Sequence, residues 1–242
     1  YNVERNIHII PTGIEVERFY KEKIDPKKIS KLKKQYNISR RDFVAVFVGR
    51  IAEEKNIPFL INITQDLIKN RPNFKLLIIG DGPDKEAYEK MSKEKGCEKN
   101  IIFTGKVPWD DIPIYYQLGT VFISASQSET QGLTIIEAMA ASLPALCIDD
   151  ESFRDTVVDD LNGFLFKDET SCKEIINKIM DDKKLLTSLQ NGARNSAELH
   201  SSKYFAEKVL DVYKLAINNR KPGYKEKITN FFKKVFSWVN LF

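Results

Sequence analysis

The run Phe43-Val44-Ala45-Val46-Phe47-Val48-Gly49-Arg50-Ile51-Ala52-Glu53-Glu54-Lys55-Asn56 decides the fold. Six apolar residues lead without a polar break into a glycine. Two cations follow, five positions apart, and a helical period then runs from 56 to 70 through Ile57, Leu60, Ile61, Ile63, Leu67 and Ile68. An unbroken apolar strand is one buried on both faces, which is the condition of a parallel sheet covered by helices.

The same alternation recurs on the C-terminal side. Lys75 to Gly80 predicts a second buried strand and 83–95 a second helix. Strands are predicted at 101–104, 120–124, 144–148 and 163–166, with helices at 109–118, 131–142, 169–181, 183–199 and 202–218. Strands separated by helices, joined by right-handed crossovers, give an α/β fold: a doubly wound, Rossmann-like parallel sheet with extra C-terminal helices. Ligands of such sheets bind beyond the carboxyl ends of the strands, so the loops after the strands are where chemistry is expected.

The chain has 242 residues and a formal charge of +4, from 38 Lys and Arg against 34 Asp and Glu. The length fits one large domain or two small ones. A hydrophobic share of 42% with 30% charged residues belongs to a globular protein and excludes disordered, collagen-like and membrane-bundle classes. No apolar run approaches the roughly 18 residues of a spanning helix. The first residue is Tyr1, with no signal-peptide pattern after it, so the chain reads as the cut-out part of a longer one. From Asn218 onward stand Arg220, Lys221, Lys225, Lys227, Lys233 and Lys234 against Glu226. The other 217 residues hold 32 basic and 33 acidic groups. On that division the body has no reason to bind nucleic acid, and the surplus charge lies in the tail.

Cys97, Cys147 and Cys172 lack metal-site or redox-motif spacing and read as reduced thiols. With His8 and His200 the only histidines, a His-based zinc site or a Ser-His-Asp triad is almost excluded. Asp149-Asp150 and Asp159-Asp160 read as exposed turn acids.

Two stretches carry chemistry. In the first, Arg50 and Lys55 follow Gly49 at a strand end, where two fixed cations can clamp a diphosphate and offset charge as it leaves. Taken alone, the stretch reads more readily as a solvated βα loop. The second is Ser126-Gln127-Ser128-Glu129-Thr130-Gln131-Gly132-Leu133-Thr134-Ile135-Ile136-Glu137-Ala138-Met139-Ala140. Its small residues and Gly132 let a phosphate approach the amides at a helix start, where the macrodipole also favours an anion. Glu129 and Glu137 suit a ligand with sugar hydroxyls at both ends, since a carboxylate accepts from two hydroxyls at once. Burying Glu137 unpaired among its apolar neighbours would be costly.

Together these stretches resemble the retaining glycosyltransferases of the two-domain GT-B type, family 4, whose donor-side pattern of an acid, seven residues and a second acid is matched by Glu129 and Glu137. The resemblance covers about residues 8–217. It includes Ile10-Pro11-Thr12-Gly13-Ile14-Glu15 with Phe19, Leu77 to Pro83, Phe103-Thr104-Gly105, and Glu137 to Pro144, with Ser142 where Gly is more usual. It implies that residues 1–20 form an interdomain segment, 21–217 a nucleotide-sugar donor-binding domain, and 218–242 a linker and basic helix. It further implies that Arg50 and Lys55 hold the donor diphosphate and stabilise it as leaving group, beside Gly49. By the same resemblance Glu129 orients the donor sugar, and Gly132, Leu133 and Thr134 offer amides to phosphate. Glu137 takes the ribose, and the loop with Lys106 and Val107 contacts the base. No metal or other cofactor is expected. The N-terminal acceptor domain of such enzymes is missing from this chain, which by itself is expected to bind donor weakly and transfer little.

The tail holds Ile228, Phe231, Phe232, Val235, Trp238, Val239 and Phe242 on one helical stripe, with Lys225, Lys227, Lys233 and Lys234 mainly off it. That pattern fits an interfacial membrane helix over residues 224–242, or a helix packed on the missing domain. The Ser128 to Thr134 stretch and Asp149-Asp150-Glu151 are similar to the bacterial branch that glucosylates diacylglycerol or glucosyl-diacylglycerol. The resemblance thus implies a hexosyltransferase using UDP-glucose on a membrane glycerolipid, cytoplasmic and peripheral on the inner face of the membrane. Alternatives are a transferase for capsule or other surface polysaccharide and a non-catalytic nucleotide-sugar-binding subunit.

Overall fold

The computed structural model describes residues 7–126 and 132–218. By its contacts the chain forms two compact units, Glu15–Leu199 on the one hand and Tyr1–Ile14 with His200–Phe242 on the other.

The larger unit opens with a 3-10 turn, Val16–Phe19, and α1 (Pro26–Gln35). Then come β1 (Phe43–Val48), α2 (Ile57–Leu67), β2 (Phe74–Ile79), α3 (Lys85–Glu94), β3 (Ile101–Phe103) and α4 (Ile112–Tyr116). β4 (Val121–Ser124), α5 (Leu133–Ala140), β5 (Ala145–Ile148), α6 (Glu151–Arg154), β6 (Gly163–Phe166), α7 (Glu169–Asp181) and α8 (Lys183–Glu198) complete it. All six predicted strands form, and they pair in parallel in the order β3-β2-β1-β4-β5-β6. The order reverses direction between β1 and β4, so the topological switch point lies between their carboxyl ends.

The strand sequences explain their position. Phe43, Ala45 and Phe47 join a core cluster with Ile57, Leu60 and Ile61 of α2 and Ile176 and Ile179 of α7. The alternate residues Val44 and Val46 are buried as well, so β1 is covered on both faces, as its unbroken apolar run requires. The three cysteines are buried.

Three elements differ from the sequence reading. The segment 26–35, for which the pattern predicts no element, forms α1. Asp25 caps it by accepting from the Lys27 amide at 2.8 Å, and Pro26 starts it. The helix predicted over 109–118 is a 3-10 turn, Trp109–Asp111, followed by the short α4. The second aspartate of Asp149-Asp150 caps α6 by accepting from the Ser152 amide at 2.9 Å.

In the smaller unit, Ile14 bridges to Ser201, donating its amide to the His200 carbonyl at 2.9 Å. Its own carbonyl accepts from Ser202 at 2.8 Å, at the start of α9 (Ser202–Asn218). No described helix is long and apolar enough to cross a membrane. The tail proposed as a membrane helix, 224–242, lies outside the described residues.

Candidate functional site

Three loops at the carboxyl ends of β1, β2 and β3 are drawn together by backbone bonds. Gly49 donates to the Ile79 carbonyl at 3.0 Å, Ile51 to the Asp81 carbonyl at 2.9 Å, and Gly80 to the Gly105 carbonyl at 3.2 Å. Gly80 sits at φ +145°, and a Cβ there would lie 1.9 Å from the Gly49 carbonyl oxygen. A side chain at 80 would therefore push the β1 loop out of place, and with it Arg50, which leaves this junction exposed. Lys106 and Val107 follow β3, two strands and roughly 10 Å from β1.

Beyond Arg50 the chain makes a 3-10 turn, Glu53–Lys55, closed by Asn56 in the left-handed conformation at φ 48°. The turn aims Lys55 across the switch point. Its Nζ donates to Ser126 Oγ at 3.3 Å, and the Ser126 hydroxyl lies 3.4 Å from the Glu54 carbonyl that accepts from it. Ser126 lies two residues beyond β4 and is 1% exposed. A cation after β1 is thus tied to a buried hydroxyl after β4, at the point where the sheet reverses its order.

α5 starts a few residues further on. Gly132 precedes it at φ 57° and ψ 30°, a left-handed conformation that a glycine adopts without strain. Ile135 and Ile136 donate to the Gly132 carbonyl at 2.9 and 3.4 Å. The amides of Leu133 and Thr134 belong to the first turn, which has no intrahelical acceptors. They mark the positive end of the helix dipole.

Glu137 stands one turn into α5. Its Oε2 accepts a hydrogen bond from the Tyr116 hydroxyl at 2.9 Å, and that hydroxyl is also 3.1 Å from the Thr134 carbonyl. Burial raises the Glu137 carboxyl above the ordinary carboxylate range, while the Tyr116 bond and the Arg18 charge pull it partly back. Tyr116 is wholly buried at the end of α4, and burial first, then Glu137, holds its hydroxyl protonated. Phe19 packs edge-on against the Tyr116 ring, with centroids 5.7 Å apart.

The structure therefore brings Lys55 to Ser126 and places Gly132, Leu133, Thr134 and Glu137 at one helix start. Gly49 and Arg50 line the neighbouring loop, and Glu129 lies outside the described residues. Ser126, Tyr116 and Arg18 are additions. Tyr116 was legible as an aromatic inside a predicted helix, but its partner on α5 is set by the fold. Among the described residues no three His, Cys, Asp or Glu side chains converge as a metal site.

A family model described as "Glycosyl transferases group 1" matches residues 28–196. The chain belongs to that family. It is 38% identical over 216 residues to the alpha-monoglucosyldiacylglycerol synthase of Acholeplasma laidlawii, a match over 88% of this chain and 54% of that protein. With the protein of the same name from Streptococcus pneumoniae it shares 30% over 169 residues, 70% of this chain and 38% of that one. The chain thus spans about half or less of these relatives. Among solved structures, Anabaena HepE in complex with UDP aligns with a TM-score of 0.74 at 20% identity, over 86% of this chain and 57% of that one. WaaG, a glycosyltransferase involved in lipopolysaccharide biosynthesis, aligns with 0.71 at 19%, over 85% and 55%. The six-stranded sheet flanked by helices is the GT-B Rossmann-like fold of these neighbours.

Proposed function

We propose that this group 1 glycosyltransferase domain binds the donor of a retaining, family 4 enzyme that moves glucose from UDP-glucose to a membrane glycerolipid. The observation that carries the donor reading is the Lys55–Ser126 contact at the switch point, beside the start of α5. A diphosphate between the β1 and β4 loops would meet Arg50 and Lys55 on one side and the Leu133 and Thr134 amides on the other. In that role the two cations stabilise the diphosphate as negative charge builds on it during departure. Glu137, ionised, accepts from the ribose hydroxyls, Lys106 and Val107 approach the base, and Glu129 orients the sugar. The charge is met by side chains and helix amides, so the reading assigns no metal.

The lipid acceptor rests on the two relatives named as glucosyldiacylglycerol synthases. The transfer is assigned to this donor domain working with an acceptor-binding domain. The place of action would be the inner membrane face, with residues 224–242 as one contact. Calorimetric titration with UDP, UDP-glucose, UDP-galactose and GDP-mannose tests the donor half. UDP and UDP-glucose are expected to bind most tightly. Failure of every nucleotide to bind would favour a non-catalytic role, and preference for GDP-mannose would overturn the donor assignment.

A further inference from the structure

The near-neutral body of the chain conceals an opposed division of charge. Between Arg18 and Arg41 stand ten basic side chains against two acidic ones, Glu22 and Asp25, a local charge of +8. The remainder of residues 1–217 is correspondingly acidic, with 22 basic groups against 31 acidic ones.

The structure gathers these cations on and around α1. Lys27, Lys31 and Lys34 recur at helical spacing along one side of the helix and line a single shallow groove with Pro26 and Ser30. That stripe spans about 10 Å. Lys23 and Lys28 open instead on a second groove shared with Arg18. Lys33 is close enough to Lys21 and Arg40 to feel both charges, which add to burial in lowering its affinity for a proton.

The nearby acids are engaged elsewhere. Asp25 caps α1, Glu22 accepts from Arg194 at 2.8 Å, and Asp42 accepts from Ser39 at 2.8 and 2.9 Å. Asp110 pairs with Arg18 at 3.3 Å, and Glu17 and Asp25 also border the second groove. Among the described residues Lys27, Lys31 and Lys34 form no ion pair. By contrast, the lysines of α3 pair within their own helix, Lys85 with Glu89 and Lys90 with Glu94. Like charges at i,i+4 weaken a helix, so an unpaired lysine stripe is explained by a partner outside the domain.

Trp109 precedes Asp110, which lines the second groove with Arg18. It is 65% exposed, and the Arg18 guanidinium lies over its ring at 3.3 Å from the centroid. An exposed tryptophan beside cations is the composition of an interfacial anchor. Nucleic acid fits less well, because one ring face is already covered by Arg18 and is closed to base stacking.

We propose that the basic surface of α1, its lysine face together with the Arg18 groove beside which Trp109 stacks, docks on an anionic lipid bilayer. The choice of a lipid partner rests on the glycerolipid reading above. None of the lysines of this face is a residue assigned to the donor.

The test uses the full 242-residue chain and vesicles of phosphatidylcholine with about one-third phosphatidylglycerol, against phosphatidylcholine alone. Neutralising the stripe as Lys27→Gln, Lys31→Gln and Lys34→Gln should cost on the order of 10²-fold in partition to the anionic vesicles, at about fivefold per lysine. Partition to neutral vesicles should not change, and the wild-type preference should fade with added salt. The tail is present in both chains, so its contribution cancels in the ratio. Trp238→Phe leaves Trp109 as the sole tryptophan. Its emission should move to the blue on anionic vesicles, and much less so in the triple variant.

Equal partition of the two chains would overturn the proposal. So would a triple variant that loses affinity for an RNA duplex but not for vesicles. UDP titration of the same samples separates the two readings, because loss of UDP binding in the wild type would sink the donor assignment and leave the vesicle result standing.

Discussion

Tyr116→Phe removes one oxygen from a wholly buried position and leaves the ring packing against Phe19 in place. The lost bond is the 2.9 Å contact to Glu137 Oε2. A hydrogen bond to a charged group contributes about 1.5–3 kcal/mol. That bond favours the carboxylate over the acid, so its loss should raise the Glu137 carboxyl further. Burial already raises this group above its ordinary value, and the variant adds to that shift. A carboxyl raised by folding favours the folded state most below its unfolded value, and that contribution is lost as pH rises through the folded value. The variant should therefore lose it over a higher pH window than the wild type. Donor binding runs the other way, because ribose hydroxyls need the ionised carboxylate. UDP affinity, measured by calorimetry from about pH 5.5 to 8.5, should fall toward acid in both proteins. The fall should begin at higher pH in the variant, with the two curves converging toward alkaline pH. A parallel loss of affinity at all pH values, or identical curves from a folded variant, would refute the assignment of Glu137 as a ribose acceptor tuned by Tyr116.

Lys55→Ala should reduce turnover of the whole enzyme on the order of 10²-fold or more, the effect of removing one donor aimed at developing charge. Near-normal turnover would remove Lys55 from the diphosphate. Gly80→Ala places a methyl group 1.9 Å from the Gly49 carbonyl at an unfavourable φ, and should lower stability by about 3 kcal/mol in denaturant unfolding. An unchanged midpoint would show that the β1 and β2 loops are not in register as described. Ser142→Gly should raise stability by about 0.5–1 kcal/mol, because Ser142 holds φ +62° at the end of α5. A lowered midpoint would contradict the strain argument.

That last position shows why part of the structure was legible in advance. Ser142 stands where the family more often has Gly, and its amide and that of Leu143 close α5 onto Met139 and Ala138 at 2.9 Å each. This is the left-handed helix ending that glycine favours. The strands were legible for a similar reason: runs such as Leu76 to Ile79 have no polar face to offer solvent, and burial on both sides follows. α1 was not. Its sequence, Pro-Lys-Lys-Ile-Ser-Lys-Leu-Lys-Lys-Gln, contributes no buried residue, so the apolar periodicity that marks the other helices is weak there, and its cap at Asp25 was the remaining signal. The strand-end rule pointed to the loops after β1 and β4, where Lys55 and Ser126 meet. The partners of Lys55 and Glu137 were not, because Ser126 lies 71 residues from the one and Tyr116 21 from the other. Spacing within a motif carries no information about a contact made by sheet order.

Sheet order also accounts for how few cations the proposed donor site calls on. In a parallel sheet the reversal between β1 and β4 leaves a crevice at their carboxyl ends, because the chain leaves those two strands toward opposite sides. A diphosphate lodged there would lie between Lys55 and the start of α5, where amides already supply partial positive charge without desolvating further side chains. Lys55 is itself half-buried, and charges act over longer range where water is thinned. The site therefore depends on the position of one or two cations, and net charge is free to vary elsewhere. The +8 segment around α1 contributes nothing required by this crevice. The lysines of α1 that the fold leaves without an ion pair, and that the proposed donor does not need, fit the anionic bilayer that would hold a lipid acceptor.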